Sequence, residues 1–129
     1  MSTLVLRTEP LQIHADPRGD LVKAGPGPVA GEVYAVHLRP GQPRGHHLHR
    51  HGGEWFVVLQ GRALLVVEDP ATGARAELAL DGLRARVEAG QAHALYAIGG
   101  PALVLALADR IHPEEGTEPW PLAPPAGLS

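Results

Sequence analysis

The stretch Gly41-Gln-Pro-Arg-Gly-His-His-Leu-His-Arg-His-Gly-Gly-Glu54, followed by the apolar run Trp55-Phe-Val-Val-Leu59 and by Gly61, decides how the rest of the chain is read. Four of the eight histidines (His46, His47, His49 and His51) fall within six residues. Neutral imidazole is the commonest protein ligand for a metal ion. Residues two apart on a strand point to the same face, so His47 and His49 can present two nitrogens to one ion. Glu54, across the Gly52-Gly53 turn, can add a carboxylate oxygen. Nitrogen donors plus one carboxylate suit iron, zinc, manganese, nickel or copper. A histidine-rich tract can also be a solvated loop or an expression tag. This one is internal, interrupted by Leu48 and Arg50, and flanked by strand-like sequence.

A second stretch lies downstream: Gly82-Leu-Arg-Ala-Arg-Val-Glu-Ala-Gly90-Gln-Ala-His93-Ala-Leu-Tyr-Ala97. Together the two segments resemble the paired motifs of the cupin superfamily. The first motif, G-x5-H-x-H-x4-E-x6-G, is met by Gly41, His47, His49, Glu54 and Gly61. The second, G-x5-P-x-G-x2-H-x3-N, is met by Gly82, Gly90 and His93, with Glu88 in place of proline and Ala97 in place of asparagine. Each specified residue type occurs at a few per cent to ~10 %, so five in register arise by chance roughly less than once in a thousand. The resemblance implies a cupin β-barrel, a jelly-roll or double-stranded β-helix, holding one divalent ion (Zn, Fe, Mn or Ni). Its implied ligands are His47, His49, Glu54 and His93.

Composition bounds the reading from outside. The chain has 129 residues, 44 % apolar but only 4 % aromatic, so one core built of Val, Leu and Ala is expected in one domain. Sixteen Gly and thirteen Pro disfavour long helices and fit short strands joined by turns. There is no cysteine, which excludes disulfides and thiolate metal sites. No run of about eighteen apolar residues suggests a membrane span, and no signal-peptide layout opens the chain, so a cytoplasmic location is expected. Net charge is −3 with no basic stripe, which argues against nucleic acid as a partner. Ten of the eleven basic residues are arginine, a bias attributed to a GC-rich genome rather than to heat adaptation.

The chain reads as about ten short antiparallel strands with no helix, an all-β barrel or jelly roll. The strands are expected at Thr3–Arg7, Leu11–His14, Asp20–Lys23, Glu32–Leu38, Glu54–Leu59, Arg62–Glu68, Arg75–Leu80, Arg84–Glu88, His93–Ile98 and Ala102–Ala108. Gln60-Gly61 is expected to close a hairpin, and Ala102–Ala108 to be buried on both faces. Residues 1–112 are assigned to the barrel and 113–129 to an irregular, proline-rich tail.

Asp16-Pro-Arg-Gly19, Gly31-Glu-Val-Tyr34, Arg44-Gly-His-His-Leu-His49 and Glu54-Trp-Phe-Val-Val resemble the cupins of nucleotide-sugar biosynthesis. These are the dTDP-4-keto-sugar 3,5-epimerases, the 3,4-ketoisomerases and the C-terminal cupin of capsular-polysaccharide reductases. The 3,5-epimerases lack the full metal set present in this chain. The resemblance implies a keto-sugar nucleotide epimerase or isomerase that abstracts a proton next to a carbonyl. A cupin dioxygenase using non-haem iron and a non-catalytic sugar- or small-ligand-binding cupin are the alternatives.

Candidate catalytic residues are His46, Tyr34 and Tyr96; Arg44 and Arg18 are candidates for holding a diphosphate bidentately. Alternation turns His46 away from His47 and His49 unless Gly45 rotates it. Each candidate also has a plainer role: Arg18 in a turn held by Asp16, Arg44 exposed at a turn, and the tyrosines in a core with satisfied hydroxyls. His51 is read as a solvated rim residue and His37 as structural, while His14 and His112 carry no signal. A homodimer is expected, with an early strand covering the partner's sheet edge.

Overall fold

A computed structural model describes residues 4–27 and 29–127. Two five-stranded antiparallel sheets face each other, and the apolar core lies between them. One sheet has the order β1 (Arg7–Pro10), β9 (Leu83–Val87), β6 (Glu54–Gln60), β11 (Ala102–Ala108), β4 (Val33–Leu38). The other runs β12 (Thr117–Pro119), β5 (Arg44–His49), β10 (Ala92–Ala97), β7 (Ala63–Glu68), β8 (Arg75–Ala79). A separate hairpin joins β2 (Gln12–Asp16) to β3 (Gly19–Lys23). This is the jelly roll of a cupin. Among the described residues no helix is long and apolar enough to cross a membrane.

The core is built as the composition demands. Leu38, Leu65, Val67, Val87, Leu95 and Val104, with several alanines, surround the lone phenylalanine, Phe56, which is 1 % exposed. Period-two alternation sorts the residues of β7: Leu65 and Val67 enter this core, whereas Val66 enters a second cluster with Leu48, Ala94, Tyr96 and Leu122. That second cluster occupies the other face of the β5–β10–β7 sheet and is covered by the chain after β12, with Trp120 packed against it.

Several expectations need correction. The first strand runs Arg7–Pro10 rather than Thr3–Arg7, because its register is fixed by pairing with Leu83–Arg86 of β9. Leu4 and Leu6 pack on the core without joining a strand, and Thr3 lies outside the described residues. Gln60-Gly61 is no hairpin. β6 pairs with β9 and β11, whereas β7 pairs with β10 and β8, so this turn carries the chain from one sheet to the other. Gly61 is required there: its φ is +76°, and a Cβ would meet the Pro101 carbonyl oxygen at 2.3 Å. β11 alternates buried and half-buried residues instead of burying both faces.

The largest correction concerns the C-terminal segment. A 3-10 turn (His112–Glu114) leads into β12, which pairs antiparallel with β5, Thr117 opposite His49. Trp120 Nε1 donates to Glu68 Oε2 at 2.8 Å, the Trp120 amide donates to the His46 carbonyl at 2.8 Å, and the Leu122 amide donates to His46 Nδ1 at 3.0 Å. Among the described residues twelve strands result rather than about ten. Proline-rich sequence is compatible with an edge strand, because Pro119 has no donor to lose on the outer side.

Candidate metal centre

His47 and His49 leave β5 on its core-facing side, with Leu48 between them facing the second cluster. His93 sits opposite His47 in β10. Glu54, the first residue of β6 in the facing sheet, completes the group and is fully buried. One donor atom from each of His47, His49, Glu54 and His93 lies within 4.8 Å of the other three. Glu54 Oε1 is 3.0 Å from His49 Nε2 and 3.5 Å from His93 Nε2. Donors bound at about 2.1 Å around one ion stand roughly 3–4 Å apart, so a small side-chain contraction brings these four onto a common ion. Three imidazoles and a carboxylate are a donor set suited to such an ion.

The cluster is electrostatically ordered from outside. Tyr34 donates to Glu54 Oε2 at 2.6 Å, which fixes the carboxylate. Thr117 Oγ1 stands 2.8 Å from His49 Nδ1. Burial alone would lower the pKa of His49, but the hydrogen bond and charge of Glu54, with the charge of Glu115, raise it above the ordinary value. Burial alone would raise Glu54, but hydrogen bonds from His49 and Tyr34 and the neighbouring His93 hold it below the usual range. Burial, followed by the Glu54 charge, pushes Tyr34 up and keeps its proton on. Burial lowers His47, and pushes His93 down to about 3. Among the described residues, His93 Nδ1 is the buried side-chain atom with no hydrogen-bond partner.

These directions predict an acid-labile metal-free protein. The fold holds His93 neutral down to about 3, whereas an unfolded chain protonates it near 6.5, so the unfolded state binds the extra proton between those values and stability falls as pH drops through them. His47 acts in the same sense, and Glu54 adds to it below 4.5. His49, being raised, contributes stability that is present below 6.5 and lost as pH rises above it. Each fully coupled group contributes up to ~1.4 kcal/mol per pH unit. Urea midpoints of metal-free protein are expected to fall steadily below about pH 6.5; midpoints that stay flat there would show that His93 titrates normally.

The remaining sequence candidates separate in space. Tyr34 is in the site. His46 is not: it occupies a β-bulge with φ +56°, where the pairing jumps from His47↔His93 to Gly45↔Ala94. Its ring lies edge-on to Tyr96 with centroids 6.2 Å apart, and the two line a different pocket, of about 280 Å³, with Leu122 and Pro124. His46 and Tyr96 are thus placed on the far side of the sheet from the four donors. Arg18 is exposed at the tip of the β2–β3 hairpin and pairs with Asp16 at 2.7 Å. Arg44 is exposed and lines a groove with His37, Arg39 and Gln42. His37, expected to be structural, is exposed on the outer face of β4. His51 is exposed, as a rim residue.

The pocket against the cluster, about 250 Å³, is lined by Glu32, Tyr34, His47, His49, His112 and Glu115. Sequence reasoning missed Glu32, His112, Glu115 and Thr117. Glu115 is 5 % exposed, with Oε1 3.3 Å from His112 Nδ1 and Oε2 3.5 Å from His49 Nε2.

Residues 14–114 match the family described as the polysaccharide biosynthesis C-terminal domain. The chain belongs to that family. Among relatives of this polysaccharide biosynthesis C-terminal domain, the UDP-2-acetamido-2,6-beta-L-arabino-hexul-4-ose reductase of Pseudomonas aeruginosa is 32 % identical over 75 residues, 58 % of this chain and 20 % of the reductase. The chain therefore spans about a fifth of the length of that curated relative. A dTDP sugar isomerase from Desulfovibrio desulfuricans superposes with a TM-score of 0.82 at 20 % identity, covering 97 % of this chain and 90 % of the isomerase. A 3'-monoepimerase from Streptomyces bikiniensis, in complex with dTDP-quinovose, gives 0.81 at 19 % identity, covering 100 % and 81 %. These likenesses establish the cupin fold of the polysaccharide biosynthesis C-terminal domain, and bear out the resemblance to nucleotide-sugar cupins.

Proposed function

We propose that the domain is a metal-binding cupin that moves a proton next to the carbonyl of a keto-sugar nucleotide, as an epimerase or isomerase. The observation that carries this reading is the pocket lined by Tyr34, His47, His49, His112 and Glu115, behind which Glu54 and His93 complete the four-donor cluster. The fold shared with dTDP-sugar isomerases and epimerases supports the substrate class.

His47, His49, Glu54 and His93 would hold one divalent ion, which when bound supplies Lewis acidity toward a carbonyl oxygen. The protein's own groups do the rest. Tyr34 keeps its proton and holds the Glu54 carboxylate in one orientation. His112 lines the pocket with Nδ1 turned toward Glu115, which leaves Nε2 to take a proton from a sugar carbon, the C–H electron pair passing to the carbonyl oxygen as an enolate, and after exchange with solvent to return a proton to carbon. Arg39 and Arg44 line a separate groove of about 570 Å³ together with His37, and two guanidinium groups there suit a diphosphate. Arg18, already paired with Asp16, is not part of this reading.

The test is wash-in of solvent deuterium into a panel of dTDP- and UDP-4-keto sugars with metal-loaded protein. Incorporation is expected, and His112→Asn should slow it by about 10²–10⁴. No incorporation across the panel sinks the enzyme reading and leaves a ligand-binding cupin.

The reading extends to a homodimer. The β2–β3 hairpin forms its own two-stranded sheet and leaves Ile13 50 % and Leu21 56 % exposed, apolar surface that a second copy can cover. Light scattering is expected to give twice the 13.6 kDa chain mass; a monomer mass at micromolar concentration would reject the dimer.

A further inference from the structure

Two side chains delivered by the segment after β11 press on His49 from opposite sides. Thr117, paired with His49 in the β5–β12 register, places Oγ1 2.8 Å from Nδ1. Glu115 places Oε2 3.5 Å from Nε2, the same nitrogen that Glu54 Oε1 approaches at 3.0 Å. A neutral imidazole nitrogen carries either one proton or one lone pair, so Nε2 cannot satisfy two carboxylates. Both carboxylates are buried, Glu54 fully and Glu115 to 5 % exposure. Buried charges of one sign facing each other are costly unless a cation lies between them. The other oxygen of Glu115 meets His112, whose side chain is 72 % exposed, and this gives only a screened partner.

The local backbone holds the segment in place. The Arg50 amide donates to the Gly116 carbonyl at 3.1 Å and the His51 amide to the Glu115 carbonyl at 2.9 Å. Gly116 has φ +65°, and a Cβ there would come within 2.9 Å of the His51 ring. Glu115 therefore reaches the cluster from the pocket side, on a backbone with little freedom to leave.

We propose that Glu115 is a fifth protein donor of the metal centre and that Thr117 fixes the ring of His49 for it, so that residues 112–119 form a strap that completes the site. Both residues lie beyond residues 14–114, the stretch that matches the family. The inference rests on the reading of His47, His49, Glu54 and His93 as a metal site.

The test uses the full chain stripped with a chelator and titrated with cobalt(II), whose visible absorption weakens as coordination number rises. For Glu115→Gln, at least roughly tenfold weaker cobalt binding is expected, with stronger visible bands. Thr117→Val should weaken binding by about tenfold with the bands unchanged. Glu115→Asp keeps a carboxylate one methylene farther back and should fall between Glu115→Gln and wild type. If Glu115→Gln is too unstable to isolate, Glu115→Asp decides: altered bands support ligation and unaltered bands overturn it. Wild-type protein that binds no cobalt overturns this inference together with the metal reading. Wild-type binding with affinity within about twofold and identical bands in Glu115→Gln overturns this inference alone.

Discussion

His49→Ala is expected to abolish metal retention and to destabilise the metal-free protein as well. His49 sits between polar groups on both of its nitrogens: Glu54 at 3.0 Å, Glu115 at 3.5 Å and Thr117 at 2.8 Å. Removing it deletes one donor and leaves two buried carboxylates facing each other across the space of the ring. Breaking a buried pair by deleting one partner costs about 3–5 kcal/mol because the remaining charge is uncompensated. Elemental analysis of freshly purified variant protein should find no bound ion, and urea denaturation of metal-free protein at about pH 6 should show the loss. A variant that keeps a full equivalent of metal would refute the assigned ligand set. His49→Gln, which fills much of the volume with a neutral donor, should recover part of the stability but little of the metal.

Phe56→Ala is the second large effect. Phe56 is 1 % exposed, central to a core otherwise made of aliphatic side chains, and its ring centroid is 5.1 Å from that of His93. Truncating a buried phenylalanine costs about 3–5 kcal/mol through lost burial and the cavity left behind. Here the cavity would open beside the His93 ring, which has no hydrogen bond on Nδ1 to hold it. Metal affinity should therefore fall with stability, although Phe56 donates nothing to an ion. A thermal scan with and without metal separates the two effects. Destabilisation with unchanged metal affinity would mean that His93 is oriented by backbone alone.

The fold was legible where chemistry and periodicity agreed. His47, Leu48 and His49 alternate across β5, and the alternation alone assigns the histidines to one face. Tyr34 shares a face with Val36 and Leu38, which marks it as inward. The same rule contained a signal against Tyr96. It stands three residues from His93 on one strand, and an odd separation places the two on opposite faces. His46 was harder, because its bulge depends on how Gly45 passes the His93 carbonyl, where a Cβ would come within 2.8 Å.

Two features could not be read locally. Gly61 has the positive φ of a hairpin turn, yet it turns a corner between sheets; the choice depends on which strands β6 and β7 find as partners. β12 is three residues long and ends in proline, so no propensity announces it. Its existence follows from pairing with β5, and the roles of Glu115 and Thr117 follow only from that pairing. Isolated acidic and hydroxyl residues in a proline-rich stretch look the same whether they touch solvent or a buried imidazole.

Thr117 is separated from His49 by 68 positions along the chain. A ribosome therefore delivers all four histidine and glutamate donors, and every strand of the two sheets except β12, before it delivers the residues that brace them. Strand β5, which carries two of the four candidate donors, has a bare outer edge until β12 is laid along it, so the chain ahead of residue 117 cannot by itself brace the ring of His49.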